Sequence, residues 1–428
     1  MVLSALGKNE LKQMLSELIT RYEGLKSQNL NLDMSRGRPC TEQLNLSDPM
    51  MENLFRDYGF KSESGTDCRN YGLIDGIPEA KRLFAELLGV SENEIILGGN
   101  SSLNMMYDAI ARAMSFGVYG SREPWGRKPI KFLCPSPGYD RHFAITELFG
   151  IEMITVKMNP DGPDMDTVER LSAEDESIKG IWCVPKYSNP DGITYSDTVV
   201  RRFAAMKTKA PDFRIFWDNA YVVHHLTDEP DELLNIMDEC KKAGNPDRVF
   251  IFSSTSKITY PGAGIAMLAA SQNNIQLIKK QLSIQTIGPD KINQLRHTLF
   301  LKSVQGIKEH MKKHAAILKP KFDTVLGILE SELGGKGIAE WNSPKGGYFI
   351  SLNTLPGCAT AAVKMAKEAG VVITPAGATY PYGHDPEDRN IRLAPTLPPI
   401  DELKKAMELF TVCVQIVSIK KLLGELNR

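Results

Sequence analysis

Between Glu94 and Leu268 the chain lays down six short apolar runs separated by stretches patterned as helix. They are EIIL (Glu94–Leu97), IKFLC (Ile130–Cys134), EMITV (Glu152–Val156), GIWCV (Gly180–Val184), FRIFW (Phe213–Trp217) and RVFIF (Arg248–Phe252). No other feature limits the fold as tightly. Runs that are β-branched or aromatic at nearly every position suit strands buried on both faces, and the intervening helices supply both covers. The expectation is an α/β fold, with a large domain built on a mainly parallel sheet sandwiched by helices. A long helix from about Lys302 to Leu333 ends the pattern. Beyond it, the shorter strand candidates GGYFISL and GVVITPA and closing helices from Asp401 read as a smaller α+β domain. At 428 residues two domains are expected. The boundaries read as 63–305 for the large domain, 306–428 for the small domain with its linking helix, and 1–62 for an N-terminal segment that joins the small domain.

Composition narrows the class of partner. With 51 basic and 52 acidic residues the formal net charge is -1, so no basic field is available to hold nucleic acid or anionic lipid, and a small-molecule ligand is expected. Seven scattered cysteines without a CxxC pair argue for a reducing compartment. The opening MVLSALGKNELKQMLSELI reads as an amphipathic helix, not a signal peptide. No apolar stretch approaches the ~20 residues that span a bilayer. A cytoplasmic protein is the expectation.

Ligands of open α/β sheets sit beyond the carboxyl ends of the strands, so the residues just past each run are informative. After EIIL comes GGNSSL, a Gly-Gly turn feeding a helix N-terminus, which suits a phosphate and equally an ordinary N-cap. PSPGYDRH puts Tyr139 at a strand end, either over a flat ligand or packed on the surface. PKYSNPDG holds Asn189 extended before Pro190, as a ligand amide or a plain turn. In DNAYVVHH, Asp218 directly follows an apolar strand and is either an N-cap or a carboxylate in need of a partner, with Tyr221 one turn on. SSTSKITYPGAG then places Ser254, Ser256 and Lys257 past the last run. Lys257 reads either as a solvated charge or as an amine held to form a Schiff base. One ligand makes all five ends intelligible: a flat, phosphorylated, pyridine-like aldehyde that takes Lys257 as an imine and Asp218 at its ring nitrogen. Metal chemistry is not expected. His310 and His314 in KEHMKKH read as a solvated helix face, and His224-His225 as packing beside the cofactor.

Over nearly its whole length the chain resembles the fold-type I pyridoxal-phosphate aminotransferases of class I, most of all a divergent bacterial subgroup of aspartate aminotransferases. The resemblance rests on SRGRP, NYGLIDGIPEAK, LGGNSSL, PSPGYDRH, VPKYSNPDG, WDNAY, SSTSK, PKGGYF and NIRLAP, in the family's order. It implies pyridoxal 5'-phosphate as cofactor and Lys257 as Schiff-base lysine and proton shuttle. Asn189, Asp218 and Tyr221 become ring contacts, Tyr139 the stacking aromatic, and Asn100, Ser101, Ser102, Ser254 and Ser256 the phosphate set. Arg392 matches the clamp on the substrate α-carboxylate, and Gly37 the loop that closes over it. Tyr71 matches a tyrosine that reaches the phosphate across a dimer interface, implying a homodimer with shared sites. One position departs from the family: the arginine usually found shortly after the lysine is replaced near Gly264, and no substitute is identified. Transfer of an amino group between aspartate and 2-oxoglutarate is the expected reaction, with Arg141 as first choice for the distal carboxylate and Lys291 and Arg296 as further candidates. The alternatives are a β-eliminating lyase or an aminotransferase for aromatic or other amino acids on the same fold. A cofactor-bearing transcriptional regulator is disfavoured by the net charge and the short N-terminal segment.

Overall fold

The computed structural model describes residues 2–52 and 54–425. Strand β1 (Leu32–Met34) lies in the N-terminal segment. The next eight strands make one sheet: β2 (Ile95–Leu97), β3 (Lys131–Ser136), β4 (Glu152–Asn159), β5 (Gly162–Pro163), β6 (Ile178–Cys183), β7 (Arg214–Asp218), β8 (Val249–Ser254) and β9 (Ala266–Ala269). Their order is β2-β9-β8-β7-β6-β3-β4-β5. All six expected runs are strands of it, and the ladders joining β4, β3, β6, β7 and β8 are parallel. The short β9, not foreseen in the sequence, runs antiparallel between β2 and β8.

Burial on both faces explains the near-continuous apolar runs. Along β7, Ile215 and Trp217 enter a core with Phe203 and Ile251, whereas Phe216 enters a second core with Phe132, Trp182 and Phe252 on the other face. Helices close each side, so neither face of the sheet meets water.

The last strands are β10 (Ala339–Trp341), β11 (Ile350–Thr354), β12 (Val371–Ile373) and β13 (Asn390–Leu393). β10, β11 and β13 form an antiparallel sheet. β12 instead pairs in parallel with β1, so the N-terminal segment is stitched to this part of the chain. The helix Lys8–Lys26 sends Leu11, Leu15 and Tyr22 into one core with Phe322 of helix Val304–Leu333 and Leu403 and Phe410 of helix Ile400–Leu422. Arg21 bonds both Glu332 and Glu408 across that junction.

The long helix corrects one expectation. His310 and His314 do not face solvent: they are 6% and 1% exposed. Ile307, His310, Met311, His314 and Leu318 share the buried stripe, while Lys312 and Lys313 between them are exposed. The 3.6-residue period runs through the two histidines, and counting only apolar side chains conceals it.

Candidate active site

The carboxyl ends of β3, β6, β7 and β8 open into a cavity of about 980 Å³, closed from the other side by the N-terminal segment and by residues around β12 and β13. Lys257, Asp218, Tyr221, Asn189, Tyr139, Ser101, Ser102, Ser254 and Ser256 all line it, as do Arg392, Gly37 and Arg141 from the side nearer the small sheet and the Tyr139 turn. Residues scattered over 350 positions of sequence are thus gathered by the topology alone.

Asp218, 3% exposed, is the last residue of β7. Its Oδ2 lies 3.0 Å from His142 Nε2, and its Oδ1 is buried without a partner. His142 stands one turn into the helix Asp140–Leu148 and stacks on Trp182 at 4.4 Å between centroids, 11° from parallel. It also meets the edge of Tyr139 at 4.9 Å. His142 is one site residue that the sequence reading passed over. The signal was its place three residues after Tyr139, on the same face of the helix that Tyr139 caps.

Lys257 follows β8 in a single turn pinned at Thr255, whose carbonyl accepts the amides of Ile258 and Thr259. The amine stands 5.3 Å from the Tyr221 ring centroid and 5.5 Å from that of Tyr348, with no hydrogen-bond acceptor among the described residues. Burial lowers its pKa, and the charge of Asp218 opposes that only in part. Burial pushes the Tyr139 phenol up to about 12, helped by Asp218 and Asp140, so this ring enters the chemistry as a neutral aromatic.

Arg392 lies on β13 with its guanidinium 4.9 Å over the Phe349 ring. It donates to Asp140 Oδ1 at 2.8 Å and to Asn189 Oδ1 at 3.2 Å. That second bond fixes the Asn189 amide. With Oδ1 taken, the free Nδ2 is a donor facing the cavity. Gly37 touches the other face of this arrangement: a Cβ there would sit 2.6 Å from Phe349 Cζ, so only glycine lets the segment close on the ring.

At the opposite end, Ser101 caps the 15-residue helix Ser102–Phe116, whose free amides and dipole face the cavity. Ser254 and Ser256 bond each other at 3.0 Å, and Ser256 also donates to the Asn100 carbonyl. The absent arginine has a steric reason. A Cβ on Gly264 would stand 2.9 Å from Thr255 Oγ1 and 3.0 Å from the Tyr260 carbonyl, so no side chain fits there. Apart from Lys257 itself, the cations lining the cavity are Arg36, Arg38, Arg141, Lys364, Lys367 and Arg392, none of them from the serine-bearing turns.

Four named residues stand elsewhere. The Asn100 side chain turns away and donates to the Pro261 and Gly262 carbonyls, leaving only its own carbonyl to act on the serines. Tyr71 is 76% exposed on the surface. Lys291 is buried beside the Gly72 and Gly288 loops, and Arg296 donates to Asn293 Oδ1 at 2.5 Å. Neither lines the cavity, which leaves Arg141 as the distal-carboxylate candidate that does. Arg36 and Arg38, which frame Gly37 in SRGRP, line it too and were not singled out from sequence.

These residues suit a phosphorylated pyridine aldehyde. A buried carboxylate oxygen is open to a donor, an amide Nδ2 to an acceptor, a helix N-terminus with four serine hydroxyls suits a phosphate, and an unpaired amine stands between them. Fold and site together define a fold-type I aminotransferase. Residues 6–426 match the aspartate amino-transferase family, and the chain belongs to it. It is 48% identical to an aspartate aminotransferase of Corynebacterium glutamicum, over 93% of this chain and 92% of that one. The crystal structure of an aspartate transaminase from the same organism superposes with a TM-score of 0.95 at 45% identity, covering 99% of both chains. A Thermus thermophilus α-aminoadipate aminotransferase, crystallised with N-(5'-phosphopyridoxyl)-L-leucine, shares the fold at a TM-score of 0.73 and 19% identity, covering 92% of this chain and 94% of that one. Among the described residues no helix is long and apolar enough to cross a membrane.

Proposed function

We propose that this enzyme moves an amino group from aspartate to 2-oxoglutarate, with Lys257 as its reactive amine and Arg392 and Arg141 as the two carboxylate grips. The carrying observation is the cavity itself: Lys257 and the unpartnered Asp218 oxygen at one end, Arg392 at the other, and Arg36, Arg38, Arg141, Lys364 and Lys367 around the opening without an ion-pair partner among the described residues. A mouth of that sign concentrates dianionic substrates.

Pyridoxal 5'-phosphate is the cofactor. When bound, it supplies an electron-withdrawing protonated ring that accepts the electrons left at the substrate α-carbon. Asp218 keeps the proton on the ring nitrogen, and His142 holds the carboxylate in the orientation that presents Oδ1. Asn189 Nδ2 and the Tyr221 hydroxyl hold the ring oxygen, and Tyr139 packs on the ring face. Ser101, Ser102, Ser254, Ser256 and the helix N-terminus hold the phosphate mainly through hydroxyls and dipoles. Arg392 takes the α-carboxylate bidentately, which orients the α-hydrogen toward Lys257. Because burial lowers its proton affinity, Lys257 Nζ can take that proton and return it. The β-eliminating alternative gains no support from the two Corynebacterium glutamicum relatives, which are named as an aspartate aminotransferase and an aspartate transaminase.

The site is completed by a second copy in this reading. Tyr71, Ile284 and Ile287 are 76%, 90% and 63% exposed. The loops of Tyr71 and Ile287 touch, since a Cβ on Gly288 would lie 2.5 Å from the Gly72 carbonyl. Such a joint apolar surface suits pairing, with Tyr71 reaching the partner's phosphate site. The deciding experiment is turnover of single amino acids with 2-oxoglutarate. Aspartate is expected to lead in kcat/KM, and Lys257→Ala is expected to lose both turnover and the borohydride-reducible imine. A Lys257→Ala protein that kept the imine would refute the assignment of the amine.

A further inference from the structure

Beneath the lysine turn lies a buried polar network that the chemistry above does not use. Gln43, fully buried in the short helix Thr41–Asn45, accepts the Cys40 amide at Oε1, 3.1 Å away. That bond fixes its amide, so Nε2 is the inward end. It donates to the Tyr348 hydroxyl at 2.9 Å and to His314 Nδ1 at 3.0 Å. With Nδ1 accepting, a neutral His314 carries its proton on Nε2.

His314 Nε2 lies 3.1 Å from His310 Nε2, which in turn lies 2.8 Å from the carbonyl oxygen of Ile258. A bare His310 Nε2 would set its lone pair against that oxygen, so it too carries a proton. His310 thus donates to the Ile258 carbonyl, and His314 Nε2 stands against His310 at that point, with both rings neutral. Burial lowers both histidine pKa values, that of His314 to about 4, in keeping with this state.

Ile258 directly follows Lys257. His310 thus grips the backbone of the lysine turn, and His314 links it to Gln43, which holds the hydroxyl of Tyr348, whose ring stands 5.5 Å from the lysine amine. Gln43 also belongs to the segment that brings Arg36, Gly37 and Arg38 to the cavity. We propose that Gln43, His310 and His314 are positioning residues for Lys257, setting where its amine stands between Tyr221 and Tyr348 and tying that place to the seating of the N-terminal segment. The proposal rests on the reading of Lys257 as the reactive amine. A network serving only stability would leave the reactivity of that amine unchanged.

The test strips cofactor from wild type and from His314→Leu, His314→Gln, Gln43→Met and Tyr348→Phe, then adds pyridoxal 5'-phosphate and follows imine absorbance with time, beside thermal unfolding. Glutamine places an amide N–H near the position of histidine Nε2. His314→Leu and Gln43→Met are expected to slow imine formation and lower kcat by at least about tenfold with aspartate KM nearly unchanged, and His314→Gln to recover most of the loss. Tyr348→Phe, which keeps the ring, is expected to show a smaller loss of the same kind and carries the test if the leucine variant does not fold. Wild-type imine formation in folded His314→Leu or Gln43→Met would overturn the proposal, and so would a His314→Gln protein no better than His314→Leu. Imine formation in Lys257→Ala at the wild-type rate would instead bring down the reading of the amine.

Discussion

Asp218 gives one carboxylate oxygen to His142 at 3.0 Å and keeps the other buried with no partner among the described residues. A buried acceptor left unpaired costs on the order of 1–3 kcal/mol, so this oxygen calls for a donor, which the protonated ring nitrogen of the cofactor would supply. His142 cannot swing away to relieve that cost, because its ring is clamped flat against Trp182. Replacing Asp218 by Ala removes the partner of the ring nitrogen, and the loss falls on the transition state. A drop of several orders of magnitude in kcat is expected, while thermal unfolding of the cofactor-free protein shows no loss of stability. A variant within about tenfold of wild type would reduce Asp218 to a structural residue.

Acid stability follows from the buried histidines. Burial lowers the pKa of His225, His297 and His314 to about 4, against about 6.5 in an unfolded chain. Between these values the unfolded chain binds more protons, so stability is full above about pH 6.5 and falls as pH drops toward 4. Asp191 acts in the opposite sense, since burial raises it to about 6. Burial lowers His224 and His310 as well, so the histidines outweigh Asp191, and unfolding at pH 5.5 should take up at least about two protons net. Denaturant titrations at several pH values measure this through the slope of unfolding free energy. A flat profile between pH 6.5 and 4.5 would contradict it.

The sheet was legible because strands buried on both faces leave apolar runs, and all six runs became strands. β9 escaped notice because Ala266–Ala269 is short and follows the glycine-rich YPGAG turn. The residues from Tyr139 to Lys257 were legible because each stands at or just past a strand end, a rule of topology that needs no coordinates, whereas Arg392, inside β13, and Gly37 were legible only through the family resemblance. His142 and the pair His310 and His314 were not legible. Their roles depend on partners 76 and 52 positions away, and a histidine among lysines looks the same in sequence whether it is solvated or buried. Asn100 shows the reverse failure: the position is right, but the amide turns to Pro261 and Gly262, which only the turn's geometry decides.

A second copy is expected to complete each site. Tyr71 projects from the protomer at 76% exposure and touches nothing in its own cavity. Sedimentation should find a dimer, and Tyr71→Phe should weaken cofactor binding with the dimer intact. A monomer with wild-type cofactor affinity would contradict both statements.

Substrate choice turns on Arg141. Arg392 is already committed to Asp140 and Asn189 on one side and stacked on Phe349, so it is pre-aimed at the carboxylate that every amino acid carries. Preference for a dicarboxylate needs a second cation, because an unpaired carboxylate would be expensive to bury. Lys291 and Arg296 do not line their own cavity, whereas Arg141 does and makes no ion pair among the described residues. Arg36 and Arg38 face the same space and could share the task, so the loss on removing Arg141 alone should be partial. Arg141→Met is expected to raise KM for aspartate by about tenfold or more, with little change in KM for phenylalanine and a smaller effect on kcat. Equal losses for the two donors would show that Arg141 shapes the cavity without reading the side chain, and would move the distal carboxylate to Arg36 or Arg38.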